Sequence, residues 1–147
     1  MPRNYDKIAL TDEERADQFT EADVARFATV GDDGLPHVVP VTFAVVDGEL
    51  CFETDADSIK VRNVEQTGKA AAVVDAGEHD YSQHRGVQWR GTARVVEDEE
   101  TVAAIERALF GAVKPESFRQ EGRHQRVKVA LKPEREVSWD FQKAGGQ

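Results

Sequence analysis

Two hydroxyl side chains and one ammonium group follow each other closely where an extended segment gives way to a helix. The stretch 52–60 reads FETDADSIK, with Thr54 ending a predicted strand and with Ser58 and Lys60 at the start of a predicted helix. Two hydroxyls, the first N–H groups of a helix and a lysine could together bind one phosphate dianion, such as the end of a cofactor. A role for Ser58 as a simple helix cap is an equally good interpretation of the spacing.

The size and charge of the chain limit its function class. Its 147 residues suffice for one domain, spanning 1–147, that buries roughly two-thirds of the surface of the unfolded chain. A formal net charge of -9 disfavours binding to nucleic acid or to an anionic membrane, because both need a basic patch. Acidic residues outnumber basic ones by 28 to 19, which we interpret as a halophilic adaptation to high salt.

Compartment and redox chemistry follow from a polar N-terminus and a single cysteine. No apolar run reaches the length of a membrane span and no signal peptide is recognisable, so a cytoplasmic protein is expected. Cys51 has no partner for an internal disulfide, and its place in a predicted strand favours a buried, unreactive thiol. The histidines His79, His84 and His124 lack the tight spacing of zinc ligands, and we predict no metal site.

The predicted elements are one helix followed by many short strands. Thr11 and Glu14 have the spacing of a capping box, which predicts a helix over about 12–19, and a second capped turn is predicted at 20–23. Asp47-Gly48 indicates a tight hairpin, and Gly91 indicates a β-bulge. Strands are predicted at about 26–30, 35–46, 49–54, 70–75, 86–96, 125–131 and 136–141, and further helices at 58–66 and from 98 onwards.

The connections between these strands decide the fold class. Most are too short for the crossover helix that a parallel sheet needs, so an antiparallel arrangement is expected. The first three strands are predicted to form a meander. A mainly β fold, a small antiparallel barrel of six or seven strands with helical caps, accounts best for the pattern, since closure also removes exposed sheet edges.

Several short motifs occur in an order that resembles a known family. The chain is similar to the pyridoxamine 5′-phosphate oxidase-like split barrels, which bind FMN or the deazaflavin coenzyme F-420. The matching segments are FATV (27–30), DGLPH (33–37), VPVT (39–42), FET (52–54) with SIK (58–60), and VQWRGTAR (87–94). The closing segment VSWDF (137–141) is similar to the deazaflavin-using members. The resemblance implies a split barrel that forms a homodimer.

The resemblance also implies which residues bind the cofactor. Thr54, Ser58 and Lys60 would bind its phosphate, with Arg62 reaching the same phosphate or a longer anionic tail. The other implied cofactor residues are the backbone of Val39, Pro40, Val41 and Thr42 along the ring, and the indoles of Trp89 and Trp139. The alternatives are an ordinary core strand for 39–42, a weak surface ion pair for Arg62, and core packing for both tryptophans.

The function implied by the resemblance is that of an oxidoreductase. It would transfer a hydride between bound FMN or F-420 and a small organic substrate; the alternative is a non-catalytic flavin- or haem-binding protein with a carrier or sensing role. No catalytic residue is assigned, although His37 could donate a proton. Oxidation of vitamin B6 is not expected, because Val39 and Gly86 replace the arginine and glutamine of true pyridoxamine phosphate oxidases. The space beside Gly86 would then suit another ring system or a bulkier substrate.

Overall fold

The computed structural model describes residues 5–77, 79–113 and 125–144. Within these residues the chain forms a seven-stranded sheet, three α-helices and three short 3-10 helices. The strands are β1 (Val24–Val30), β2 (Pro36–Thr42), β3 (Ala44–Val46), β4 (Glu49–Asp55), β5 (Lys69–Ala76), β6 (Arg85–Val96) and β7 (Arg126–Asp140). The helices are α1 (Asp12–Glu21), α2 (Ile59–Thr67) and α3 (Glu99–Phe110), and the 3-10 helices are Asp6–Ile8, Tyr81–Gln83 and Phe141–Lys143. The predicted mainly β class is confirmed.

All strand pairs are antiparallel, in the order β2-β1-β5-β6-β7-β4-β3. The predicted hairpin turn is confirmed, since Asp47 and Gly48 have φ values of 51° and 77°, both positive as in a type I′ turn. Both pairings of the predicted meander occur, since β1 pairs with β2 and β3 pairs with β4, but β2 and β3 lie at opposite ends of the sheet and β4 also pairs with β7. A turn motif determines only the pairing of the two strands that flank it, here β3 and β4. The pairing of β4 with β7 on its other side depends on closure of the sheet.

The sheet curls because its two phenylalanine-bearing strands must meet. Phe27 on β1 and Phe52 on β4 are fully buried, and their ring centroids lie 4.6 Å apart in an edge-on contact. Three strands separate β1 from β4 in the sheet order, so a flat sheet would hold these rings far apart. The resulting half-barrel encloses the core, and the predicted split-barrel architecture is confirmed.

Strand β7 is one continuous strand of 15 residues, where two strands were predicted. Pro133 suggested a break, but β4 pairs with β7 only as far as Leu131, so beyond that point one side of β7 is open. A proline on an open edge removes no hydrogen bond from the sheet. The bulge predicted at Gly91 is confirmed between Arg90 and Gly91.

The helices begin largely as the sequence predicts. Thr11 and Glu14 form a complete capping box at the start of α1. The second capped turn at 20–23 is wrong, because α1 continues to Glu21 and the Thr20 hydroxyl donates to the Ala16 carbonyl at 2.9 Å. The long extended segment 35–46 is interrupted at Phe43, whose ring packs against that of Phe19. No helix in the described ranges is long and apolar enough to cross a bilayer.

Helix α3 covers the outer face of β4 and β7 through buried charged groups. The Lys128 ammonium donates to Glu53 Oε1 at 2.7 Å and to Glu106 Oε1 at 2.8 Å, and both Lys128 and Glu106 are almost fully buried. Cys51 lies in the same layer at 2% exposure, and burial raises its pKa to about 12. The predicted burial of the thiol is therefore confirmed, and the raised pKa agrees with the low reactivity that the sequence predicts.

We expect Lys128→Met to destabilise the protein by about 3–5 kcal/mol, because it leaves the buried carboxylate of Glu106 without its cation. Urea unfolding of the variant and of wild type measures the difference. Lys132→Met, at an exposed position on the same strand, is the control and should change stability by less than about 0.5 kcal/mol. Equal stability of Lys128→Met and wild type would contradict the buried ion cluster.

Glu14 makes stability depend on pH in the acid range. Hydrogen bonds from the Lys143 ammonium and the Thr11 N–H lower the pKa of Glu14 from 4.5 to about 2. Because the folded pKa is depressed, this stabilisation is complete above pH 4.5 and is lost as the pH falls to about 2. We expect Glu14→Gln to cost about 1 kcal/mol at neutral pH, since both side chains are one-third exposed and screened.

Unfolding free energies of wild type and Glu14→Gln measured at several pH values check this dependence. The two curves should converge near pH 2, because the wild-type carboxyl is then protonated too. Glu13→Gln, in the same helical turn, serves as the control for the loss of one negative charge. A constant gap between the curves down to pH 2 would show that the Glu14 charge is not involved.

Candidate functional site

The corner between β4 and α2 contains a buried hydroxyl group that forms no hydrogen bond with the described residues. Thr54 is 5% exposed near the end of β4, and Ser58 occupies the N-cap position of α2. The Ser58 side chain makes no capping hydrogen bond, and its buried Oγ has no hydrogen-bond partner among the described residues. Ser58 thus occupies the predicted cap position, but its side chain does not cap the helix.

The first N–H groups of α2 open onto the same corner. The first hydrogen bond within the helix runs from the Arg62 N–H to the Ser58 carbonyl at 3.1 Å. The N–H groups of Ile59, Lys60 and Val61 precede that bond, as at every helix N-terminus. Their partial positive charge favours an anion next to Ser58.

Lys60 adds a full positive charge to this corner. The residue is half-buried, and burial lowers the pKa of its ammonium group; the Arg126 guanidinium lowers it further, while Asp55 opposes the shift. A partly desolvated ammonium beside another cation is stabilised by an incoming anion. Arg62, by contrast, is exposed to solvent.

A cavity of about 350 Å³ lies next to the corner. Its lining residues come from the end of β2, from β4, from the last turn of α3 and from the start of β7: Pro40, Val41, Thr42, Glu53, Leu109, Phe110 and Arg126. Arg126 connects the cavity to the corner, since its guanidinium donates to Asp55 Oδ1 at 2.9 Å and lies 3.5 Å from Glu53 Oε2. Three of the four predicted β2 residues thus line this cavity, whereas Thr54, Ser58 and Lys60 do not.

Strand β2 presents an open edge to this side of the barrel. Among the described strands it pairs with β1 alone, and Pro36 and Pro40 occupy alternate positions along it. Prolines lie in a sheet where an N–H would point away from the partner strand, so the N–H of Thr42, at the same alternate position, points to the open edge. The side chains of Val39 and Val41 instead pack in the core, as the core-strand interpretation predicted.

His37 lies at the far end of β2 from this cavity. Its ring is half-buried, and Nδ1 is buried without a hydrogen-bond partner among the residues that the structure describes. No group of three His, Cys, Asp or Glu side chains in the described ranges could hold a metal ion. His124, one of the histidines considered from the sequence, lies outside those ranges.

Comparison with known proteins agrees with this architecture. The family model described as pyridoxamine 5′-phosphate oxidase matches residues 11–140, which is most of the chain. This chain belongs to the pyridoxamine 5′-phosphate oxidase-like family. No curated protein sequence matches it significantly.

Solved structures include several similar split barrels. A conserved hypothetical protein from Mycobacterium tuberculosis is 28% identical with a TM-score of 0.80, covering 99% of this chain and 94% of that one. The FAD-binding protein from Mycobacterium smegmatis is 23% identical with a TM-score of 0.65, covering 88% and 95% of the two chains. The heme storage protein HutZ from Vibrio cholerae is 17% identical with a TM-score of 0.69, covering 86% and 94%. The last two establish similarity of fold alone.

Within this family fold, the two tryptophans lie in different settings. Trp89 is 8% exposed, stacks on Phe19 with ring centroids 4.6 Å apart, and donates from Nε1 to Glu136 at 2.7 Å, so it belongs to the core. Trp139 is half-buried against Gly86, where an added Cβ would lie 2.7 Å from the indole. The expected free space beside Gly86 is therefore wrong, because Trp139 of the same chain fills it.

Sequence reasoning missed Glu53 and Arg126 as members of this site. Both line the cavity, and Glu53 also belongs to the buried cluster beneath α3. The pairing of β4 with β7 brings Glu53 opposite Lys128 and places Arg126 opposite Asp55. No sequence motif contains this information, because the two strands are about 70 residues apart in the chain.

Ser58→Ala tests the geometry of the corner directly. Removal of a capping side chain normally costs about 1 kcal/mol, but the Ser58 hydroxyl makes no cap bond, so we expect a change below about 0.5 kcal/mol. Asp98→Ala is the matched control, because the Asp98 side chain accepts from the Thr101 N–H at 2.9 Å and does cap α3. Thermal or urea unfolding measures both; equal losses in the two variants would mean that Ser58 is an ordinary cap.

Proposed function

We propose that this protein is an oxidoreductase that binds FMN, or alternatively the deazaflavin coenzyme F-420, with the cofactor phosphate at the Thr54–Lys60 corner. The observation that carries the proposal is the buried Ser58 hydroxyl at the N-terminus of α2, for which the described part of the chain provides no hydrogen-bond partner. A buried polar group without a hydrogen bond costs free energy, and a bound phosphate oxygen would remove that cost.

Lys60 supports the same ligand through its charge. Burial lowers the pKa of its ammonium, and it makes none of the ion pairs formed by described residues. A phosphate dianion would add to the negative charge of Asp55 near this ammonium and would accept a charge-assisted hydrogen bond. Thr54, buried on the preceding strand, completes a set of two hydroxyls and one cation.

The open edge of β2 is the proposed binding surface for the cofactor ring. Pro40 and Thr42 line the cavity beside the corner, and the Thr42 N–H at that edge can donate to the pyrimidine end of a flavin. Arg126 and Glu53 border the same cavity with opposite charges. A bound flavin or deazaflavin supplies hydride transfer, and the protein supplies orientation and exclusion of water. We assign no side chain as general acid or base.

We further propose a homodimer with two equivalent sites. Leu35 and Val38, on and beside the edge strand β2, are 68% and 63% exposed. Exposed apolar residues on an open sheet edge favour association, and two-fold pairing of identical surfaces is the commonest arrangement in oligomers. In such a dimer, Trp139 and Arg62 of one subunit would lie near a cofactor only if that cofactor is bound by the partner subunit.

A non-catalytic carrier or sensor of flavin or haem is the alternative function. The description of HutZ as a heme storage protein applies to that protein, and at 17% identity it supports only a shared fold. The absorbance spectrum and mass of the molecule that co-purifies distinguish flavin, deazaflavin and haem. Reoxidation of the reduced cofactor by organic acceptors then separates an enzyme from a carrier, and a haem spectrum would overturn the oxidoreductase proposal.

Lys60→Ala is the sharpest test of the proposed phosphate site. We expect FMN or F-420 affinity to fall at least tenfold, about 1.4 kcal/mol or more, because a charged partner of the phosphate is lost. Titration of the cofactor by fluorescence or calorimetry measures the change. Arg62→Ala, at an exposed position, should have a smaller effect, and Lys132→Ala should have none. Unchanged affinity in Lys60→Ala would remove this corner from the cofactor site.

A further inference from the structure

A second cavity, of about 400 Å³, opens on the face of the sheet that points away from the core. Three cationic side chains line it: Lys69 on β5, Arg90 on β6 and Arg135 on β7. We call these residues, together with Glu134 at the same cavity, the cationic groove. Three cations against one carboxylate leave the groove with a net charge of +2.

The two arginines of the cationic groove oppose each other directly. Arg90 and Arg135 are register partners in the β6–β7 pair, and both side chains line the cavity. Like charges at directly opposite positions of antiparallel strands destabilise the pair. A local arrangement that lowers stability, with no compensating contact in the fold, is typical of a functional site.

No ion pair among the described residues neutralises these three cations. Ion pairs are formed by Arg15, Arg85, Arg94, Arg126, Lys128 and Lys143. Lys69, Arg90 and Arg135 take part in none of the ion pairs found across the described ranges. In a chain of net charge -9, carboxylates are abundant, so three cations on one surface without such a pair form a local attraction for anions.

The shape of the groove depends on the bulge in β6. The register shifts between Arg90 and Gly91, and a side chain at Gly91 would collide with the Lys132 carbonyl oxygen. A bulge of this kind redirects the neighbouring side chain and is common beside binding sites. The small side chains of Ala28 and Ala71, on β1 and β5, leave the remaining wall of the cavity open and apolar.

We propose that the cationic groove binds a small organic anion with at least two carboxylate groups. The net charge of +2 matches a ligand of two or more negative charges, and the alanine wall matches an apolar carbon skeleton. Guanidinium groups pair with carboxylates through two parallel hydrogen bonds, which suits two arginines side by side. The Glu134 carboxylate at the same cavity would repel any anion whose negative groups lie next to it.

This groove is separate from the proposed phosphate corner. It includes Pro36 at one end of β2, whereas the cavity at the corner includes Pro40 and Thr42. Four residues of extended strand place Pro36 and Pro40 about 13 Å apart. The proposal therefore does not depend on cofactor binding at Ser58 and Lys60.

Citrate titration of the full-length protein tests the proposal, with ionic strength held constant by sodium chloride. We expect saturable binding by calorimetry and a citrate-dependent rise in Tm. Arg90→Gln and Arg135→Gln should each weaken citrate binding about tenfold or more, since each removes a charged hydrogen-bond donor. Both variants should fold as well as wild type without citrate, because each relieves the repulsion between opposed arginines. Acetate, with one carboxylate, should bind more weakly than citrate.

Arg107→Gln, an exposed cation on α3, is the control for loss of one positive charge and should bind citrate like wild type. Lys60→Ala should also bind citrate like wild type, whatever its effect on the cofactor. The proposal is overturned by absence of saturable citrate binding at about 10 mM, well above a millimolar Kd. Equal weakening in Arg107→Gln would overturn it as well, and loss of citrate binding in Lys60→Ala would assign the anion to the corner instead.

Discussion

The contact between Phe27 and Phe52 is the constraint on which the rest of this structure depends. Burial of two aromatic side chains from strands that are far apart in the sheet requires the sheet to curl. Each ring contributes on the order of 2–3 kcal/mol of hydrophobic stabilisation when it leaves water. The curl brings the ends of β2 and β4 to the same side of the molecule, and the cavity beside the Thr54–Lys60 corner lies between them.

A series of ion pairs runs from the buried layer beneath α3 to the candidate site. Lys128 joins Glu53 on β4 to Glu106 on α3, so the helix and the strand are held together by a buried cation. Glu53 in turn lies beside Arg126, which bonds Asp55 at the corner. The Lys128–Glu106 pair is buried, whereas Arg126 and Asp55 at the cavity end are 43% and 51% exposed. The last turn of α3 reaches the cavity through Leu109 and Phe110.

Positive charge is concentrated in two places on an acidic protein. One is the α2 corner, where Lys60 is half-buried beside the free N–H groups of the helix. The other is the cationic groove, where Arg90 and Arg135 stand opposite each other. By contrast, most of the described arginines and lysines that form ion pairs join two separate elements of the fold, as Arg15 does with Glu136.

The sequence by itself determined the local elements and the family. The capping box at Thr11, the turn at Asp47-Gly48 and the bulge at Gly91 are short-range features, and each depends on the conformational preferences of a few adjacent residues. The hydroxyl and lysine pattern of the corner is also local. Only the tertiary structure decided that β4 pairs with β7, that Trp139 fills the space beside Gly86, and that the Ser58 hydroxyl is buried with no partner in the described ranges. These outcomes depend on which distant strands meet when the sheet closes, and closure is set by burial of the whole core and not by any one segment.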